Sequence, residues 1–206
     1  MQEAFVGNWA REAHLSAEVL ASLHHLNRRF LELAVSRGHM GCAGQMAQLS
    51  PLQRAAAAHT PYALFDLRFA DEGHWQVRLQ NPGPGRVADE STVDDETVAF
   101  VRLALFFAWH MASSGGLAAQ LVMGMNGATA AAFRRSTVND LPALVVTEAA
   151  QLTARWSDCS AYWNALAGAA LRPDSRVLRR VQLYGLQLAA AARLPSAPGR
   201  TSGDWR

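Results

Sequence analysis

The sequence predicts a mainly α-helical protein made of two tandem helical modules, with one short β-hairpin near residues 64–79. Three observations lead there. Apolar residues recur at alternating spacings of four and three, the signature of one helix stripe. Hydroxyl and acidic residues stand where helices would begin. The order of these signals also runs twice along the chain, once in each half.

The first long helix is expected from Ser16, an N-cap, to Gly38, a C-terminal stop. Val19, Leu23, Leu26, Phe30 and Leu33 form its stripe, with Arg28, Arg29 and Glu32 off it. Upstream, Phe5 and Trp9 are four apart and suggest another apolar turn. Ser50-Pro51 starts a second helix, a hydroxyl cap followed by proline at the first helical position, which runs through Ala55–Ala58 and stops before Pro61. Phe65, Leu67 and Phe69 then alternate, as do Trp75, Val77 and Leu79 beyond Asp71-Glu72-Gly73, and period two across a glycine turn reads as a hairpin.

Residues 81–97 open on Asn-Pro-Gly and close on an acidic run, so they read as a linker. Asp94, Asp95 and Glu96 sit where carboxylates favour the positive end of the next helix. Val98 to Met111 is apolar almost all round, which calls for burial on most sides, by its own fold or by a partner. Ser113 to Gly116 breaks the chain, and short helices follow at Leu117–Met123 and Thr129–Arg135. Thr137 with Asp140 resembles a capping box for a helix through Leu141, Leu144 and Val145. Asp158 is the expected cap of the helix carrying Tyr162, Trp163 and Leu166. Pro173-Asp174-Ser175 opens a last helix with Val177, Val181, Tyr184 and Leu188 at spacings of four, three and four. The expected organisation is a first module at 1–80, the linker 81–97, a second module at 98–171, a basic C-terminal helix at 172–194 and a disordered tail at 195–206.

Half the residues are apolar and 17% are charged, a globular composition that excludes a disordered chain. The longest apolar run, Val98 to Met111, falls short of the roughly 18 residues that span a bilayer and contains Arg102 and His110. The N-terminus lacks a basic stretch followed by an apolar one, so no export signal is read there. Cys42 and Cys159 stand alone and far apart, which argues against a disulfide framework and for a reducing, cytoplasmic setting.

All 19 basic residues are arginine. Residues 1–171 hold 12 Arg against 15 acidic residues and residues 172–206 hold 7 against 2, so the basic character belongs to the final segment. Arg134 and Arg135 precede a Thr-capped helix, and Arg176, Arg179 and Arg180 lie on the last one. Such residues suit phosphate contact; a solvated helix end or face accounts for them more simply.

Seven histidines are present, but only His39-x-x-Cys42 has a ligand-like spacing, and it offers two ligands where zinc needs more. His110, at the end of an apolar helix, is expected to be partly buried. There is no nucleophile elbow and no glycine-rich phosphate loop. No catalytic residue, metal or cofactor is expected, and the chain does not read as an enzyme.

The two halves align further. LNRRFLELAVSRG, a Ser-capped helix and Arg68-Phe69 are matched by LALFFAWHMASSGG, a Thr-capped helix and Arg155-Trp156, with Trp75 and Trp163 following. At these residues the sequence resembles the D subunit of the flagellar master transcriptional regulator. Met123-Gly124-Met125-Asn126 matches that family's turn, Thr137, Leu141 and Leu144 its next helix, and Leu152, Arg155 and Trp156 its aromatic-basic ending. Leu49-Ser50 and Phe65-Asp66-Leu67-Arg68-Phe69 repeat the ending in the first half. The likeness covers about 60 residues of the second half and about 30 of the first.

The resemblance implies an all-helical subunit that dimerises, pairs with a zinc-binding C subunit and binds promoter DNA with it. This chain is longer and joins two modules, so it would imitate a homodimer within one polypeptide. On that basis the DNA-contact candidates are Arg134, Arg135, Arg155, Arg176, Arg179 and Arg180. The interface candidates are Leu23, Leu26, Phe30, Phe100, Leu103, Phe107, Val177, Val181 and Tyr184. The expected partners are a protein resembling the zinc-binding C subunit, or a second copy, with DNA in addition. That makes the chain part of a dimer or hetero-oligomer without membrane insertion. The competing expectation is an adaptor of a motility or secretion apparatus that uses the same seams and binds no DNA.

Overall fold

A computed structural model describes residues 15–38, 40–81, 93–172 and 174–192. The expected turn at Phe5 and Trp9, His39, most of the linker and the tail at 195–206 lie outside the described residues. The fold is mainly α, with one small antiparallel sheet of two strands.

The first half contains helices α1 (Ala17–Arg37), α2 (Ala43–Ala47) and α3 (Pro51–Ala57), strand β1 (Phe65–Asp66) and helix α4 (Glu72–Gln80). Ser16 caps α1 by accepting from the Val19 amide, and Gly38 ends it at φ 74°. That left-handed conformation suits glycine because a Cβ would meet the following carbonyl oxygen. Ser50 and Gln53 form a reciprocal capping box on α3, with Pro51 just inside.

The second half contains α5 (Asp95–Ser114), α6 (Gly116–Met123), α7 (Gly127–Arg135), a 3-10 helix (Val138–Ala143), α8 (Val145–Ala149), strand β2 (Thr153–Ala154), α9 (Ser160–Ala170) and α10 (Ser175–Ala191). Asp94 caps α5 through the Glu96 and Thr97 amides, and Asn126 caps α7 through the Thr129 amide. The box of Thr137 and Asp140 forms, but it opens a 3-10 helix that contains Pro142. Helix α9 begins at Cys159, which makes no side-chain cap bond, and not at Asp158 as the sequence suggests. Asp174 caps α10.

The expected hairpin does not form. Strand β1 is there, but Trp75, Val77 and Leu79 lie on helix α4, whose start is capped by Asp71 through the His74 amide. Trp75 and Leu79 are four apart, so the residues that alternate as a strand also share a helix face. The partner of β1 comes from the other half: Phe65 opposes Ala154 and Asp66 opposes Thr153.

The halves correspond closely around that strand pair, but one residue out of step with the match of Arg68-Phe69 to Arg155-Trp156 made from the sequence: Leu67 corresponds to Arg155 and Arg68 to Trp156. The residue two after each strand has positive φ, Arg68 at 57° and Trp156 at 54°. In each half an indole N–H then reaches back over the turn. Trp75 Nε1 donates to the Leu67 and Arg68 carbonyls at 3.1 Å, and Trp163 Nε1 to those of Arg155 and Trp156 at 3.2 Å. If Phe65 corresponds to Thr153 and Asp66 to Ala154, the observed register is the one that a two-fold axis between the strands requires.

One hydrophobic cluster runs through both halves, from Leu23 to Val181. At its centre the Phe30 ring of α1 lies 6.0 Å from Phe65 of β1 and Phe100 of α5, and the Phe65 and Phe100 rings meet edge to face at 5.1 Å. Asn27 is fully buried in the first half, and its amide is satisfied throughout. It donates to Thr60 Oγ1 and to the Ala58 and Tyr62 carbonyls, and accepts from the Leu64 amide. Helix α5 is long and apolar enough to cross a membrane by length and composition alone, a test that a core helix also passes, and half of its most apolar window is buried inside the fold.

Candidate functional site

The feature with the most chemical content is a cleft of about 440 Å³ beside the strand pair. Strand β1 brings Asp66 to it, the turn after β2 brings Arg155 and Trp156, and the turn between α6 and α7 brings Gly124 and Asn126. Helix α10 covers one side with Ala189, helped by Ala192 just past its end.

Arg155 is only 7% exposed. Its Nη1 donates to the Val122 carbonyl at 2.9 Å, and its guanidinium lies 4.6 Å from the centre of the Trp156 ring. Gly124 packs against the same group: a Cβ there would come within 2.8 Å of Nη2 and 3.0 Å of Cζ. Gly124 is also left-handed, at φ 78°, so both backbone and space demand glycine. Nε and Nη2 of Arg155 donate to no other described residue and line the cleft. Burial lowers the Arg155 pKa to about 10, which the nearby Asp66 carboxylate partly opposes, so the group stays cationic at neutral pH. Asp66 accepts from the Phe69 amide at 3.1 Å, and burial raises its pKa above the usual carboxylate value. These two charges feel each other without forming an ion pair.

A second polar cluster joins the halves. Glu148 of α8 is fully buried and meets two side chains of α4, His74 Nε2 at 2.8 Å and Arg78 Nε at 3.0 Å. Arg78 Nη2 is buried without a hydrogen-bond partner. Burying a charge is costly unless it is paired, so this cluster ties α4, which packs on α7, to α8 as well. Arg37 and Asp94 form another ion pair between the halves.

The expected site residues divide. Leu23, Leu26, Phe30, Phe100, Phe107 and Val181 are buried within the chain, and Val177 and Tyr184 pack partly against the core. The α1–α5 seam is therefore made inside one polypeptide. Leu103 differs: it is 41% exposed and, with Leu26, Phe107, His25 and His110, lines an open apolar groove between α1 and α5. His110, expected to be partly buried, is exposed there.

Arg134, Arg135, Arg176, Arg179 and Arg180 are exposed. Arg155 is not, and its place among the DNA-contact candidates is corrected accordingly: a guanidinium buried against Val122, Gly124 and Trp156 cannot lie on a phosphate backbone. Cys42 is buried and Cys159 half-buried, both as free thiols. Burial pushes the Cys42 pKa up to about 12. The His24 and His59 rings lie 4.8 Å apart, but among the described residues no group of three or more His, Cys, Asp or Glu gathers as a metal site would require.

Sequence reasoning missed Asp66, Asn27 and the Glu148 cluster. Their partners lie tens of residues away, and no local spacing marks them. No protein-family model, curated protein or solved structure matches the chain.

Proposed function

We propose that this chain is a transcriptional regulator subunit that acts first by protein pairing and second through arginine contacts with DNA. One observation carries the reading: the matched strand–turn–tryptophan units that pair across a local two-fold at β1 and β2. They involve the residues in which the sequence resembles the flagellar regulator's D subunit, a family that dimerises. In this reading the chain holds both halves of such a dimer. The exposed Arg134 and Arg135 at the end of α7, with Arg176, Arg179 and Arg180 on α10, supply the charge for phosphate contact.

The test is fluorescence anisotropy with promoter-length duplex DNA over a salt series, with the chain alone and with any zinc protein that co-purifies with it. Binding should be weak alone, stronger in the complex, and fall steeply with salt. Replacing all five exposed arginines with alanine should flatten the salt dependence. Binding that is undetectable in both states, or insensitive to salt, overturns the reading.

A second reading, an adaptor that binds no DNA, is favoured by the apolar groove between α1 and α5. Its mostly apolar lining suits the apolar face of an amphipathic helix from a partner. Retained partner capture by the five-arginine variant, with no DNA binding by either form, would select it.

A further inference from the structure

We propose that the cleft beside the strand pair binds a small zwitterion, an α-amino acid or close analogue, with Arg155 taking its carboxylate and Asp66 its ammonium group. This goes beyond the regulator reading and does not depend on it.

The case begins with an incompletely paired charge. A buried guanidinium ordinarily has a carboxylate or several carbonyls around it, because removing it from water is costly. Among the described residues, Arg155 has one neutral carbonyl and the face of an indole. Its Nε and Nη2 edge is the planar, two-donor side that a carboxylate fits, and that edge borders the cleft. Its position is held by Val122 on one nitrogen, by Trp156 against its plane and by Gly124, where no side chain has room. The group is therefore fixed before any ligand arrives, which lowers the cost of binding.

Asp66 decides the class of ligand. A carboxylate in the same cleft repels phosphates and other polyanions, whereas a ligand carrying both signs satisfies both groups. Arg155 and Asp66 both line the cleft and make no ion pair with each other, so a ligand in it can meet both. A cleft of about 440 Å³ lies at the small end of the range usual for ligand pockets. Met125, Trp156 and Ala189 give it apolar walls for a side chain. The first half supplies a contrast within the molecule: the counterpart of Arg155 is Leu67, which is buried in the core.

Titration calorimetry and thermal unfolding of the full chain test this, using the common α-amino acids at millimolar concentration. Each would be compared with its decarboxylated amine, its deaminated acid and inorganic phosphate. One or a few amino acids should give saturable heat and raise Tm, while the amine, the acid and phosphate do not. Asp66→Asn and Arg155→Gln should each weaken binding more than about thirtyfold. Because Arg155→Gln also removes a buried contact, Ala192→Trp at the exposed edge of the cleft serves as an independent check. It should leave the Tm of the free protein unchanged and abolish the ligand response. The proposal is overturned if no amino acid binds, if the deaminated acid or phosphate binds as well as the amino acid, or if Asp66→Asn keeps full affinity.

Discussion

In the first half, the turn after the strand buries Leu67 and exposes Arg68, which pairs with Asp71 at 2.5 Å. In the second half, the corresponding positions hold Arg155, buried, and Trp156, half-buried against Tyr62 and Tyr162. The backbone is the same: positive φ, a strand on one side and an indole closing the turn from the other. Only the side chains differ, and only the second turn borders the polar cleft. A repeated backbone unit can thus serve as scaffold in one copy and carry chemistry in the other, because the hydrogen bonds that hold the turn come from the main chain and leave the side chains free to change.

The largest expected effects concern what the two turns share and what binds the halves together. Trp75→Ala and Trp163→Ala should each cost about 3–5 kcal/mol in urea unfolding, from lost burial plus orphaned carbonyls. Near-equal losses support equivalence of the turns, while a several-fold disparity breaks the comparison. Glu148→Ala should cost somewhat less, about 2–4 kcal/mol, since it strands Arg78 as a largely buried cation. A loss below about 1 kcal/mol would mean that the link from α4 to α8 through Glu148 does little to hold the halves together.

A smaller pair separates conformation from packing. Gly38 and Gly124 both end helices in the left-handed region, but nothing lies near a Cβ at Gly38, whereas Arg155 lies against Gly124. Gly38→Ala should cost about 1 kcal/mol. Gly124→Ala should cost about 2–3 kcal/mol, because the guanidinium must move as well. Equal costs by chemical denaturation would show that Arg155 is not held where the structure places it. Below these come the caps: Ser50→Ala and Thr137→Ala should each lose about 1 kcal/mol.

The subtlest test is pH. The folded-state pKa of Asp66 is raised, chiefly by burial, so the folded state binds its proton more tightly than the unfolded chain does. Its favourable contribution is full below the unfolded pKa and is lost as pH rises through the folded one. Asp66→Asn should therefore stabilise the protein at neutral pH, with the gain vanishing at acid pH. A gain that grows on acidification would contradict the placement of Asp66 in a poorly solvated site.

The helix starts at Ser16, Ser50 and Asp174, the stop at Gly38 and the mainly α fold class were all legible in the amino-acid sequence. Each rests on a hydrogen bond or a steric limit within about one turn of chain, so neighbouring residues suffice to specify it. The stripe of α1 and the nearly all-round apolar surface of α5 also announced that both helices must be buried; what they would be buried against was beyond local spacing. The tertiary structure alone decided that β1 pairs with β2 and that residues 72–80 are helical, since their apolar spacing suits either form. It alone put Arg155 inside, where its partners are Val122, Gly124 and Trp156, and joined Glu148 to His74 and Arg78 some seventy positions away. Contacts at that separation depend on how whole helices pack, and whether a charge ends in water or in the core depends on the same packing.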